Sequence, residues 1–198
     1  YFLDFETFMQ AIPQWDGLRP YQNVPFQYSI HCIEREGEDP SHSEFLAEEN
    51  SDPRRSLAER LIDHIPKGVC VLAYNRSFEK GVIRYLAEQF PDCSDHLMDI
   101  HDNLLDLMVP FQKKYYYKKE MKGRYSIKAV LPALISDSPY SRMDINEGME
   151  ASNNYKNLAS LQDSKEREKI KKDLKIYCKQ DTRSMVDVLG CLKAVVAK

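Results

Sequence analysis

Residues 1–8 read Tyr1-Phe2-Leu3-Asp4-Phe5-Glu6-Thr7-Phe8, an aromatic and apolar run broken by two carboxylates one residue apart. Aromatic residues favour strands, and successive strand side chains point to opposite faces. Asp4 and Glu6 therefore emerge together, on the face shared by Phe2 and Phe8, while Tyr1, Leu3 and Phe5 take the other. Taken alone, an Asp-x-Glu pair is most simply a strand whose polar end reaches water. It is also a ready pair of metal ligands, if the rest of the chain supplies partners.

Outward from this strand, Pro13, Gly17 and Pro20 mark a loop before Pro25–Glu34, which reads as a second strand. Gly37, Asp39 and Pro40 turn the chain towards a short third strand near Ser43–Leu46. Asp52 and Pro53 supply an N-cap and a first-turn proline for a helix that ends before Pro66 and Gly68. Val69–Tyr74 is an apolar run of the kind covered on both faces of a sheet. Phe78, Val82, Tyr85, Leu86 and Phe90 then recur at helical spacing. A helix over Ser94–His101, a short strand over Leu104–Leu107 containing Asp106, a helix capped by Ser126, and a charged helical tail from about Glu166 complete the order. The expectation is an α/β domain over residues 1–198. Its mixed sheet has three antiparallel strands followed by parallel ones, flanked by helices, with Asp4 and Glu6 near a strand end where open sheets place their sites.

The totals narrow the class. A chain of 198 residues with 42% hydrophobic content suits one domain with a sizeable core. No run approaches the roughly 18 to 20 apolar residues of a membrane span and no signal-peptide pattern opens the chain, so a soluble, cytoplasmic protein without a membrane partner is expected. Five widely spaced cysteines with no C-x-x-C pair argue for reduced thiols over a disulfide framework or a zinc site. His96 and His101 lack the i, i+4 spacing of a zinc pair. Opening on a strand residue, without Met, the sequence looks like a domain of a longer chain. Net charge is −3, but its distribution is uneven. Eight acidic residues fall between Glu34 and Asp52, and seven basic ones between Lys113 and Lys128.

Two further segments supply partners for the first pair. Asn75-Arg76-Ser77-Phe78-Glu79 follows the buried strand and places Glu79 in the first turn of a helix, where a carboxylate also interacts favourably with the macrodipole. Tyr177 and Asp181 lie four apart on a helix and so share one face. Each segment has an ordinary structural explanation by itself. Together they make four carboxylates and a phenol, each on the element a shared site requires.

This arrangement resembles the DEDD superfamily of 3′-to-5′ exonucleases, in its tyrosine subclass, with Asp4-Phe5-Glu6, Asn75-Arg76-Ser77-Phe78-Glu79 and Tyr177-Cys178-Lys179-Gln180-Asp181 as the three motifs. The resemblance spans nearly the whole chain and implies a ribonuclease-H-like sheet. It departs at Glu79, where the superfamily carries Asp. Gly123–Leu134 and Tyr177–Thr182 are also similar to an uncharacterised bacterial family in which such a domain ends a longer, multidomain protein. The implied cofactors are two Mg²⁺ or Mn²⁺ ions, about 3.5 to 4 Å apart, that generate the nucleophile and relieve charge on the phosphate. Such hard cations take carboxylate oxygens. By resemblance Asp4 bridges both ions, Glu6 and Asp181 complete one, Glu79 supports the other, and Tyr177 orients the attacking water.

The implied partner is single-stranded nucleic acid. Thr7, Phe8 and Asn75 are candidate substrate contacts beside the motifs. Lys113, Lys114, Lys118 and Lys119, interleaved with Tyr115–Tyr117, form a second set suited to stacking bases and tracking phosphates. The same segment also reads as a solvated loop whose tyrosines pack on the domain. A binding module with weakened catalysis and a structure-specific endonuclease are the rival functions.

Overall fold

The protein is described by a computed structural model over residues 1–135 and 147–197. β1 (Phe2–Phe8), β2 (Val24–Cys32), β3 (Ser41–Leu46), β4 (Val71–Ala73) and β5 (Leu104–Asp106) form a five-stranded sheet in the order β3-β2-β1-β4-β5. β1 pairs antiparallel with β2, and β2 with β3. β4 runs parallel to β1, and β5 parallel to β4. The helices are α1 (Arg54–His64), α2 (Arg76–Gln89), α3 (Pro91–Asp102), α4 (Val109–Gln112), α5 (Ile127–Leu134), α6 (Gly148–Leu158) and α7 (Ser164–Val196). The architecture is α/β, with a mixed sheet flanked by helices.

The alternation in β1 divides the core as expected. Leu3 and Phe5 join Tyr28 and Ile30 beneath α1, α2 and α3, in one continuous apolar cluster. The opposite face is covered by α5, α6 and α7, and there the apolar packing is in two parts. Phe8 packs with Phe26, Tyr155, Leu174 and Tyr177, whereas Phe2 packs with Phe111, Val130, Met185 and Val188. Asp4 and Glu6 occupy β1 between the two, and Asp181 occupies α7 between Tyr177 and Met185. Both elements thus set a carboxylate in the middle of an otherwise apolar stripe.

Several boundaries differ from the sequence expectation. The Val69–Tyr74 run contributes only Val71–Ala73 to the sheet, since β4 is parallel and pairs with β1 at Phe2↔Leu72 alone. Beyond that pair β1 and β4 diverge, which opens a cleft at their carboxyl ends. α7 starts at Ser164, where Asp163 accepts the Lys165 N–H at 2.8 Å as its cap. α6 carries too few periodic apolar residues to be read from sequence, and its apolar side is set by Ala151, Tyr155 and Leu158. A register shift between Glu6 and Thr7 bulges β2 at Phe26. Phe26 consequently stacks on Tyr155 at 4.0 Å while Gln27 reaches the Leu174 carbonyl at 2.9 Å.

Candidate active site

Asp4 and Glu6 project from β1 into the cleft, facing Asp181 on α7. One ligand oxygen from each of the three lies within 4.8 Å of the others. α7 is held in this rotation by a buried polar network behind the site. Thr182 Oγ1 meets Ser29 Oγ at 2.8 Å and His31 Nδ1 at 2.8 Å, and donates to the Lys179 carbonyl at 3.1 Å. Ser29 is the register partner of Asp4 on β2, so the network ties Asp181 to the strand pair that presents Asp4.

The second motif enters from the β4–α2 turn. Asn75 adopts a left-handed conformation, φ 75° and ψ 57°, which an Asn tolerates better than most side chains. Asp106 at the end of β5 holds that turn. Its carboxylate accepts the N–H of Asn75 at 3.1 Å, of Arg76 at 3.2 Å and of Met108 at 2.9 Å. Asp106 thereby anchors the turn that aims α2. Glu79 follows one turn later, 2% exposed, and its Oε2 has no hydrogen-bond partner among the described residues. A buried carboxylate oxygen without a donor is expensive and calls for a cation or a proton.

All four carboxylates line a cleft of about 230 Å³, together with Asn75, Tyr177 and Lys128. Burial, followed by the charge of Asp181, holds the carboxyls of Asp4 and Glu6 well above their usual range. Burial likewise pushes Glu79 up to about 8, with a backbone hydrogen bond opposing and the Asp106 charge reinforcing the shift. Burial and the charge of Asp181 raise the Tyr177 phenol far above an ordinary tyrosine, so it stays protonated, and it hydrogen-bonds Asp181. Three carboxylates within ligand distance of one another, with the orphaned Glu79 oxygen lining the same cleft, fit divalent cations such as Mg²⁺ or Mn²⁺.

A carboxyl whose folded pKa is raised binds its proton more tightly folded than unfolded, so its contribution to stability falls as pH rises between the two values. For Glu79 that window runs from its ordinary value of 4.5 to about 8. His31 slopes the other way. Burial lowers it from 6.5 to about 4, and its penalty grows as pH falls through that range. Comparing the parent with Glu79→Gln isolates the first effect. In urea melts of metal-free protein, the stability advantage of Glu79→Gln is expected to widen by roughly 3 kcal/mol between pH 5 and pH 8. Parallel pH profiles for the two proteins would show that Glu79 titrates normally.

Among the expected substrate contacts, Asn75 lies in the cleft. Thr7 lies on an adjoining groove with Met9, Asn23, Phe78 and Met149, and its hydroxyl donates to Asn23 Oδ1 at 3.4 Å. Phe8 is placed elsewhere. It is 3% exposed and sits among Trp15, Phe26 and Tyr155, because Tyr155 of α6 and Trp15 of the β1–β2 loop cover that end of the face it shares with Asp4 and Glu6. It therefore offers no ring to a base. Lys113, Lys114 and Lys119 are exposed and Lys118 half-buried. Of the three tyrosines, Tyr116 packs edge-on against Phe111, while Tyr115 and Tyr117 are exposed. Beyond this segment the chain comes back to the cleft, where Tyr74, a cleft residue, donates to the Tyr125 carbonyl at 2.7 Å.

Lys128 is the site residue that sequence reasoning missed. The available signal is a single lysine in Ile127–Leu134, a helix otherwise free of charge. All five cysteines are free thiols, and Cys178 Sγ stands 3.8 Å from Asp4 Oδ2. His96 bonds the Ile65 carbonyl at 2.8 Å, and His101 bonds Asp102 at 2.7 Å.

An α/β domain with an acidic cleft at the strand ends is therefore the class that fold and site define. The chain belongs to the family described as Domain of unknown function (DUF2779), which matches residues 1–126. It is 27% identical over 217 residues to a curated relative, "Uncharacterized protein UU173" of Ureaplasma parvum serovar 3; the match takes in 98% of this chain and 31% of that protein. The chain thus spans about a third of the relative's length. No solved structure matches it. No helix among the described residues is long and apolar enough to cross a membrane.

Proposed function

We propose that this domain is a divalent-metal-dependent 3′-to-5′ exonuclease acting on single-stranded DNA or RNA, on a ribonuclease-H-like fold. The observation that carries the reading is the convergence of Asp4, Glu6 and Asp181, from opposite ends of the chain, within 4.8 Å in a cleft shared with Glu79 and Tyr177. The sheet order, three antiparallel strands followed by two parallel ones, supports it.

Asp4, Glu6 and Asp181 would hold one ion, with Asp4 shared and Glu79 serving a second. The bound ions would supply an activated water at neutral pH and charge relief at the phosphate. The chain's own groups do the rest. Tyr177, protonated and donating towards the Asp181 side, orients the attacking water by a hydrogen bond, since a phenol of this kind is no general base at neutral pH. Asp106 keeps Asn75 and α2 in place, so that Glu79 faces the same cavity.

The direct test is digestion of 5′-labelled single-stranded DNA and RNA oligonucleotides with Mn²⁺ or Mg²⁺, beside a chelator control. Progressive shortening from the 3′ end that stops in chelator is the expected result. Internal cuts identify an endonuclease, retention without cleavage identifies a binding module, and undiminished cleavage in chelator removes metal dependence. Replacing Lys113, Lys114, Lys118 and Lys119 together by Ala is expected to weaken single-strand binding and to flatten its log–log salt slope by up to about 3. Turnover at saturating substrate should barely change. An unaltered salt slope, measured by fluorescence anisotropy, would return the segment to the solvated-loop reading.

A further inference from the structure

The acidic cleft continues past Glu6. Phe5, Glu6 and Phe78 also line a second hollow of about 420 Å³, and Phe78 and Asn23 lead from it to a third of about 320 Å³, so Phe78 borders all three. Charge changes sign along this row. Among the described residues, four carboxylates line the cleft, Glu6 alone remains at the second hollow, and the third has none. Lys156 at the second hollow and Arg19 at the third are exposed cations, and neither is ion-paired among the described residues. The walls of the third hollow are braced. Ser77, Gly81 and Tyr85 of α2 are spaced four apart and form one wall, and Arg19, Gln22 and Asn23 of the β1–β2 loop form the other. Arg19 N–H donates to Gln22 Oε1 at 3.0 Å and Tyr21 N–H to the Gln10 carbonyl at 2.8 Å, while the buried Arg54 donates to the Tyr85 hydroxyl at 2.8 Å. Gly81 stands in the interior of α2, where glycine is costly, yet a Cβ there would meet nothing within 4 Å. Packing within the protein gives no reason for it. A ligand lying against the helix backbone does.

A strand whose scissile phosphate lies at Asp4, Glu6 and Asp181 would place the next nucleotide in the second hollow. For an enzyme that releases single nucleotides, the strand ends there. Here the row runs on, to a cation that can meet a further phosphate and an aromatic ring beside which a further base can lie. Resting on the nuclease reading of the cleft, we propose that the third hollow is a subsite for the second nucleotide beyond the scissile phosphate, with Arg19 on the phosphate joining the two, and that the domain releases dinucleotides from the 3′ end. In each step the oxygen of water bonds to phosphorus and the bond from phosphorus to the upstream 3′ oxygen breaks. One proton of the water ends on that 3′ oxygen and the other passes to solvent, so the strand keeps a 3′-hydroxyl and the dinucleotide leaves with a 5′-phosphate.

The test uses single-stranded DNA and RNA oligonucleotides radiolabelled only at the last internucleotide phosphate, cut with Mn²⁺ under single-turnover conditions. Thin-layer chromatography separates a labelled dinucleotide from a labelled mononucleotide. The dinucleotide is the expected first product of the parent. Two variants locate the subsite. Arg19→Ala removes the phosphate contact, and Gly81→Gln fills the hollow from α2 while replacing glycine by a better helix former, so it does not act by loosening the helix. Each is expected to lower the ratio of dinucleotide to mononucleotide about tenfold, the loss of one charge-assisted hydrogen bond. Arg19→Lys, which keeps the charge, should fall between the parent and Arg19→Ala. A first product of any other length from an active parent overturns the subsite and leaves the nuclease reading intact. Dinucleotide release that neither Arg19→Ala nor Gly81→Gln alters overturns its assignment to this hollow. A parent that cuts neither strand refutes the nuclease reading itself, and the subsite with it.

Discussion

Asp4→Asn is expected to cut the rate of metal-dependent cleavage by at least about a thousandfold, roughly 4 kcal/mol of transition-state stabilisation, while making the metal-free protein more stable. The two effects have one cause. Asp4 lies among Asp181, Glu6 and Glu79, and burial together with those charges already favours its protonated form. An amide of the same shape removes the repulsion and the desolvated charge, for a gain of about 1 to 2 kcal/mol at neutral pH. In a chain of this length that corresponds to a rise in Tm of about 2 to 8 °C. The same change removes a ligand shared between the proposed metal positions, so the rise in Tm that Mn²⁺ gives the parent should vanish. Differential scanning fluorimetry with and without Mn²⁺, beside the cleavage assay, reads all three quantities. If Asp4→Asn instead melts below the parent and still responds to Mn²⁺, the cluster is a structural hydrogen-bonding site and the ligands lie elsewhere.

Tyr177→Phe is expected to lower single-turnover cleavage by roughly tenfold to a thousandfold, the range for deleting one positioning or proton-handling group. The ring belongs to the cluster of Phe8, Phe26, Tyr155 and Leu174, and phenylalanine keeps that packing. What is lost is the hydroxyl that accepts from Lys128 and hydrogen-bonds Asp181. Metal affinity should therefore change little, since no carboxylate is removed. Asp181→Asn should be the more severe of the two, because it takes charge from the triad itself. Both variants measured side by side decide the assignment. A fully active Tyr177→Phe beside an inactive Asp181→Asn would reduce Tyr177 to a packing residue of α7.

Local pattern carried much of this protein's design. Strict alternation over Phe2–Phe8 put Asp4 and Glu6 on one face. An i, i+4 spacing put Tyr177 and Asp181 on one side of α7, and a turn after an apolar run put Glu79 in the first turn of α2. Each depends on side-chain period within a single element, which a few consecutive residues specify. The order of the strands, and of the helices other than α4 and α6, followed from the same periods and from Pro and Gly punctuation. Tertiary structure alone decided which side chains meet across elements. It buried Phe8 among Trp15, Phe26 and Tyr155, and so withdrew a residue that local position had set beside the site. It made Asp106 the anchor of the Asn75 turn, locked α7 to β2 through Thr182, Ser29 and His31, and brought Lys128 to Tyr177 across a gap of 49 residues. No window of sequence contains those pairs. They arise when two apolar clusters on one face of the sheet close around a gap between them, and polar groups caught in that gap must find partners there, because the buried surroundings offer no water to replace them.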